Sequence, residues 1–233
     1  MKIQCIKTGP FGVNTYIVIV DQKNCFVVDC ASCSFCNDEK SVSSFLASSN
    51  LNPLAFVCTH GHFDHVAGLK NLKICWKDVP VLINPKDSLW IGPSSSERQG
   101  RILESMGFEE FIPSVSNLPE AEGFLEEGKS LAQSIKECNK KIADDKVYSL
   151  LEDWQIIESP GHTEGSVCIY NRKENVLLSG DTVFYHSWGR TDFEGGNESK
   201  MQESLKKIYK NVEKTALVFP GHDRYGFRIE ENF

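Results

Sequence analysis

With 233 residues, 40% of them hydrophobic and 24% charged, the chain has the balance of a globular protein that buries one core, as a single domain over residues 1–233. A formal net charge of −7 without a basic run argues against nucleic acid, whose phosphates call for clustered Lys and Arg. No apolar run reaches membrane-spanning length, and Met1-Lys2-Ile3-Gln4-Cys5 opens no apolar signal segment, so a cytoplasmic setting with nine mostly reduced cysteines is expected.

The first third reads as β-rich. Thr15 to Val20 is an apolar, β-branched run, Asp21 to Asn24 a polar turn, and Phe26 to Val28 a second strand ending at Asp29. A helix is expected near Asn37, capped by Asn37 or Asp38, with Val42, Phe45 and Leu46 on one face. Leu54 to Cys58 reads as a buried strand that runs straight into Thr59-His60-Gly61-His62-Phe63-Asp64-His65.

From about 85 to 150 the pattern is helical and more polar. Ile102, Leu103 and Met106 fit one amphipathic helix, and Leu131, Ile135, Cys138 and Ile142 fit another. Strands return with Trp154 to Glu158, followed by Pro160-Gly161-His162-Thr163. Val167 to Tyr170 and Val176 to Leu178 make a hairpin, followed by Gly180-Asp181-Thr182. A helix from Glu198 to Tyr209 places Met201, Leu205 and Ile208 on one side. Ala216 to Phe219 is the last core strand, ending at Pro220-Gly221-His222.

Three of these strands end at a histidine and a fourth ends near Asp181. Loops after strand ends are where a rigid scaffold places functional groups, so the four ends are expected to meet at one sheet edge. The loop from His60 to His65 puts His60, His62, Asp64 and His65 within six residues, and imidazole and carboxylate both bind divalent transition metals. Five of the six histidines in the chain lie in this loop or at a strand end. His162 and His222 each follow a Pro-Gly turn and gain weight as members of that set.

Seven donors, His60, His62, Asp64, His65, His162, Asp181 and His222, exceed what one metal with an open position needs. They suit two metals about 3.5–4 Å apart. Such a pair brings the pKa of bound water toward about 7 and polarises a carbonyl, so no Ser or Cys nucleophile is required. All seven are N and O donors. Zinc is the first expectation, with iron and manganese fitting the same set. A small-molecule substrate is expected, and neither a nucleic acid nor a membrane as partner; the sequence leaves the oligomeric state open.

Five segments carry a resemblance: Asn14-Thr15-Tyr16, Thr59 to His65, Pro160 to Thr163, Gly180 to Thr182 and Pro220 to His222. In this order they resemble the metallo-β-lactamase superfamily, most closely its glyoxalase II-like branch (hydroxyacylglutathione hydrolase-like). The resemblance implies an α/β fold, an αββα sandwich with the helical stretch of about 85–150 inserted. It implies that His60, His62 and His162 hold one metal, that Asp64, His65 and His222 hold another, and that Asp181 bridges them. Asp64 and Asp181 thereby take catalytic roles. Asp29 either orients a ligand or is a turn residue. Gly189-Arg190-Thr191-Asp192-Phe193 is similar to a stretch of short glyoxalase II-like proteins, with Arg190 a substrate contact or a partner of Asp192.

The implied activity is hydrolysis of a thioester or similar acyl compound. The chain departs from long glyoxalase II enzymes in lacking their glutathione-gripping helical region after His222, which leaves the thiol open. Alternatives are a persulfide dioxygenase with one iron on His60, His162 and Asp181, and a non-catalytic metal-binding relative. Arg98, Arg101 and Lys129 are candidate substrate contacts from the insertion, set against a solvated helical surface, and His186 is expected at the surface. Cys30-Ala-Ser-Cys33-Ser-Phe-Cys36, with Cys25 upstream, has the steps of a second metal or redox site, set against ordinary loop thiols.

Overall fold

In a computed structural model, which describes residues 1–138 and 145–232, two mixed sheets stack face to face with helices outside both. The first sheet has the order β1 (Lys2–Thr8), β2 (Val13–Ile19), β3 (Asn24–Val28), β4 (Asn52–Val57), β5 (Val81–Ile83) and β6 (Gly123–Phe124). Its first three strands pair antiparallel and the rest parallel. The second sheet runs β11 (Phe227–Arg228), β10 (Leu217–Pro220), β9 (Val176–Gly180), β8 (Val167–Asn171) and β7 (Trp154–Glu158). Only β9 and β10 are parallel there.

The helices are α1 (Ser41–Ser48), α2 (Phe63–Val66), α3 (Leu69–Cys75), α4 (Ser95–Ser105), α5 (Ile112–Val115), α6 (Leu131–Cys138), α7 (Asp145–Glu152) and α8 (Glu198–Asn211).

The strand period of two explains the layers. In the first sheet Tyr16, Val18, Phe26, Val28, Ala55, Val57 and Leu82 face inward, where they meet Trp154, Ile156, Val167, Ile169, Val176 and Leu178 of the second. The intervening Ile17, Val27, Phe56, Val81 and Ile83 face outward, onto Val42, Leu46, Leu69, Leu72 and Leu103 of the helices. On the other side Cys168, Tyr170, Leu177 and Val218 pack against Met201, Leu205 and Ile208 of α8. This is the expected αββα sandwich.

Several expectations shift. The helix placed near Asn37 begins at Ser41 with Lys40 at its N-cap, while Asn37 is left-handed at the end of a 3-10 turn. The Asp38 carboxylate caps no helix; it accepts from the Gly9 and Cys33 amides at 2.8 and 2.7 Å. Four strands, β1, β5, β6 and β11, add to those expected: β1 is largely solvated, and the other three are only two or three residues long. The stretch of about 85–150 is mainly helical yet contributes β6 to the sheet edge. Ile142, the last residue of the expected stripe, lies outside the described residues. No helix among the described residues is long and apolar enough to cross a membrane.

Candidate metal centre

The carboxyl ends of β3, β4, β7, β9 and β10 deliver Asp29, His60, His162, Asp181 and His222 to one edge of the sandwich. After β4 the chain turns into α2, so that Asp64 and His65 point back to the same place, with the His65 amide donating to the His62 carbonyl at 2.9 Å. The His162 turn is held by α8. Asn197, whose side chain caps that helix, donates its own amide to Gly161 O at 2.8 Å, and the Ser204 hydroxyl donates to Pro160 O at 2.7 Å. The His222 turn is held by the first hairpin: Asn14 Nδ2 and the Tyr16 hydroxyl donate to Pro220 O at 3.1 and 2.7 Å.

All seven expected donors come together. His62 Nδ1 lies 2.8 Å from His162 Nε2, and His65 Nε2 lies 3.2 Å from His222 Nε2. Asp181 sits between the groups. Its Oδ1 is 3.4 Å from His65 Nε2, and its Oδ2 is 3.5 Å from both His162 Nε2 and His222 Nε2. Asp64 Oδ2 is 3.4 Å from His222 Nε2 and 3.8 Å from His65 Nε2. Three donor groups form on this basis: His60 with His62 and His162, Asp64 with His65 and His222, and His60 with His65 and Asp181.

In His65, His162 and His222 the other ring nitrogen is already engaged. His162 Nδ1 donates to Arg190 O at 2.7 Å and His222 Nδ1 to Phe11 O at 3.3 Å; carbonyls only accept, so the Nε2 of each neutral ring keeps a free lone pair. His65 Nδ1 donates to Asp29 Oδ2 at 3.1 Å. Asp29 also accepts from the Thr59 amide and hydroxyl at 2.8 and 2.7 Å, which makes it an anchor for His65 and the loop rather than a simple turn residue.

His60 Nε2 and Asp181 Oδ1, both buried, have no hydrogen-bond partner. Buried polar atoms are ordinarily paired, so two orphans aimed into one cluster of donors fit a cation at that place.

The electrostatics agree. Burial, with His65 and His162 next, holds His60 well below the usual imidazole range. Burial and His162 do the same to His62. Burial would raise Asp64 and Asp181, yet the neighbouring His65, with His222 beside it, holds both carboxyls low. Burial would lower His65, but Asp181, Asp64 and Asp29 raise it well above its usual value. The site thus keeps Asp64 and Asp181 anionic and His60 and His62 neutral, the forms that ligate metal, while the carboxylates around His65 favour a positive charge at its place.

A cleft of about 320 Å³ opens over Asp64, Asp181 and His222. Phe11, Phe63, Met106, Phe184 and Phe193 give it apolar walls, and Arg190 stands at its rim. The Arg190 guanidinium forks onto Asp192 with two 2.7 Å contacts and lies 3.7 Å over the Phe193 ring. The contact the sequence did not reveal is main-chain, the Arg190 carbonyl that orients His162. Backbone atoms carry no residue signature.

Arg98, Arg101 and Lys129 do not reach the cleft. Arg101 forks onto Glu194 at 2.9 Å and Arg98 lies over Trp90 at 5.2 Å, while Lys129 pairs with Glu126 and Glu137 at the surface. His186 is exposed.

Of the loop thiols, Cys33 and Cys36 come together with Asp38. Cys25 and Cys30 pack in the outer core. Burial pushes Cys30 up to about 11 and Cys36 up to about 12, and both Asp38 oxygens are taken by amides. Asp87 and Gln99, which meet the His60 loop from below, carried no sequence signal.

Comparison with known proteins agrees with this geometry. Residues 8–222 match the metallo-beta-lactamase superfamily. The chain is 26% identical over 222 residues to a "Probable metallo-hydrolase YqgX" of Bacillus subtilis, covering 95% of this chain and 90% of that one. It is 23% identical over 227 residues to a "Hydroxyacylglutathione hydrolase GloC" of Haemophilus influenzae, covering 97% and 92%. Among solved structures, the BLEG-1 B3 metallo-beta-lactamase superposes with a TM-score of 0.78 at 25% identity, covering 99% of this chain and 95% of that one. The chain belongs to the metallo-beta-lactamase superfamily.

Proposed function

We propose that the protein is a metal-dependent hydrolase of thioesters or similarly activated acyl compounds. The observation that carries this reading is the convergence of seven N and O donors, with Asp181 between the two groups, beneath a cleft with apolar walls. Similarity to a hydroxyacylglutathione hydrolase supports the substrate class. In this reading His60, His62 and His162 hold one divalent metal, Asp64, His65 and His222 hold a second, and Asp181 contacts both. Zinc is the first choice, and iron or manganese suit the same donors. When bound, such a pair supplies an activated water and Lewis-acid polarisation of a carbonyl.

The remaining work falls to the chain. Asp29, Arg190 O and Phe11 O fix the rings of His65, His162 and His222 so that their Nε2 atoms stay directed inward. Asp64, kept ionised by His65 and His222 and lining the cleft, presents Oδ2 beside their Nε2 atoms as the anionic donor that would hold the second metal at the cleft floor. Phe11, Phe63 and Met106 exclude water from one side of the acyl group. Arg190 offers a fork to an anionic substrate group once it parts from Asp192. The substrate is a small molecule in a cytoplasmic setting.

Metal-replete protein is expected to cleave S-lactoylglutathione or related acyl thiols. No turnover across a panel of acyl thiols overturns the reading. Iron-dependent oxygen uptake on glutathione persulfide, without acyl cleavage, would replace it with dioxygenase chemistry.

A further inference from the structure

His62 Nδ1 and His162 Nε2 come within 2.8 Å from loops 100 residues apart. Something other than the two rings must hold those loops in register. The stretch between them supplies it from below, through two fully buried side chains. The 3-10 turn Pro85–Trp90 carries Asp87. Its Oδ2 accepts from the Gly61 amide at 2.9 Å and from the Thr163 hydroxyl at 2.7 Å, and its Oδ1 accepts from the Gly165 amide at 2.8 Å. Gly61 separates His60 from His62, and Thr163 follows His162. One carboxylate therefore ties together the loops that provide all three nitrogens of the first donor group.

Helix α4 carries Gln99, whose Nε2 donates to Gly61 O at 2.6 Å and to Trp90 O at 2.8 Å. The Gly61 peptide is thus held on its N–H side by Asp87 and on its C=O side by Gln99. Trp90 closes the remaining space, since a Cβ on Gly61 would overlap the Trp90 side chain. The contacts are buried and multidentate, which gives them leverage over loop position.

We infer that Asp87 and Gln99 are positioning residues for His60, His62 and His162, so that the inserted stretch forms the frame of the first metal site. This rests on reading the cluster as a metal centre. The second donor group, Asp64 with His65 and His222, is anchored separately through Asp29 and Phe11. Loss of the clamp is therefore selective.

The test is cobalt(II) titration of the chelator-treated full-length protein, followed by visible absorption and chelator competition. The wild type is expected to take two equivalents. Asp87→Asn and Gln99→Met are expected to keep their circular dichroism and one equivalent at wild-type affinity, and to bind the other about 10–100-fold more weakly. Two equivalents at wild-type affinity in both variants overturn the inference, and so does equal weakening of both equivalents, which marks a general loss of packing. Where Asp87→Asn does not fold, Gln99→Met, which keeps the side-chain volume, decides by the same outcomes. A wild type that takes no cobalt overturns the metal reading itself.

Discussion

His62 Nδ1 and His162 Nε2 face each other across 2.8 Å with both rings buried. His162 gives its Nδ1 proton to the Arg190 carbonyl, so the gap holds either one proton from His62 or a cation. A cation that binds only the folded state stabilises it by about 2.7 kcal/mol when free metal stands about 100-fold above its dissociation constant. Chelator treatment is expected to lower the melting temperature by several degrees, and added zinc to restore it. An unchanged melting curve under exhaustive chelation would contradict a metal at this place.

Asp29 is buried, and one carboxylate serves His65 Nδ1 and both Thr59 donors. Its φ of 54° lies in the left-handed region, which Asn tolerates better than Ala. Asp29→Asn is therefore the informative change. It keeps the backbone and removes the charge that orients His65. Metal affinity or activity is expected to fall about 10–100-fold, with the deficit in the Asp64, His65 and His222 group. A metal titration matching the wild type would reduce Asp29 to a turn residue.

The imidazoles set opposite pH slopes in the metal-free protein. The carboxylates around His65 and His222 raise them above the ordinary imidazole value of 6.5, so the stability they bring is complete below 6.5 and is lost as pH climbs through their folded values. His60 and His62 lie well below 6.5, so they cost nothing above it and destabilise as pH falls beneath it, where the unfolded chain takes up protons first. Urea midpoints of chelated protein are expected to peak near neutral pH and fall on both sides. A midpoint that changes in one direction only, between about pH 5 and pH 9, contradicts this opposition of buried rings.

Arg190 acts on His162 through its carbonyl, whereas its guanidinium makes an exposed pair with Asp192. Exposed pairs contribute about 0–1 kcal/mol. Arg190→Ala is thus expected to leave metal content and melting temperature near wild type. Its effect should appear in KM for anionic acyl thiols, by roughly 10-fold, the loss of one charged contact. Loss of metal from Arg190→Ala would mean that the side chain, not the main chain, holds the turn.

What could be read beforehand follows from what each feature needs. His60 to His65 declare themselves because six consecutive residues carry four ligands. The inner strands were legible because buried β-structure leaves β-branched runs such as Val13–Ile19. Lys2–Thr8 was missed because an edge strand with a solvated face alternates weakly, and Gly123–Phe124 because two residues form no pattern. Asn14 and Tyr16 stand out in the sequence only within a resemblance, because their task, donating to the Pro220 carbonyl from 206 and 204 residues away, exists only once the sheets stack. Asp87 was invisible for the same reason.

Gly221 shows how little room the centre leaves. Its amide donates to Gly180 O at 2.9 Å and its carbonyl accepts from the Asn14 amide at 2.7 Å, so the peptide is fixed on both sides. A Cβ there would overlap Asp181 Oδ1 and His65 Cε1. Two outcomes compete for Gly221→Ala. Either the backbone yields, or the methyl pushes Asp181 away from His65. Overpacking a fixed position costs about 1–3 kcal/mol, less than the folding free energy of most domains, so the protein is expected to remain folded. The displaced carboxylate then no longer serves both donor groups. Metal analysis should show substoichiometric binding and activity should fall by more than 10-fold, roughly what one misplaced reacting group costs. Full metal occupancy with wild-type turnover would show that the turn relaxes, and that close packing against Asp181 is not what holds the bridge.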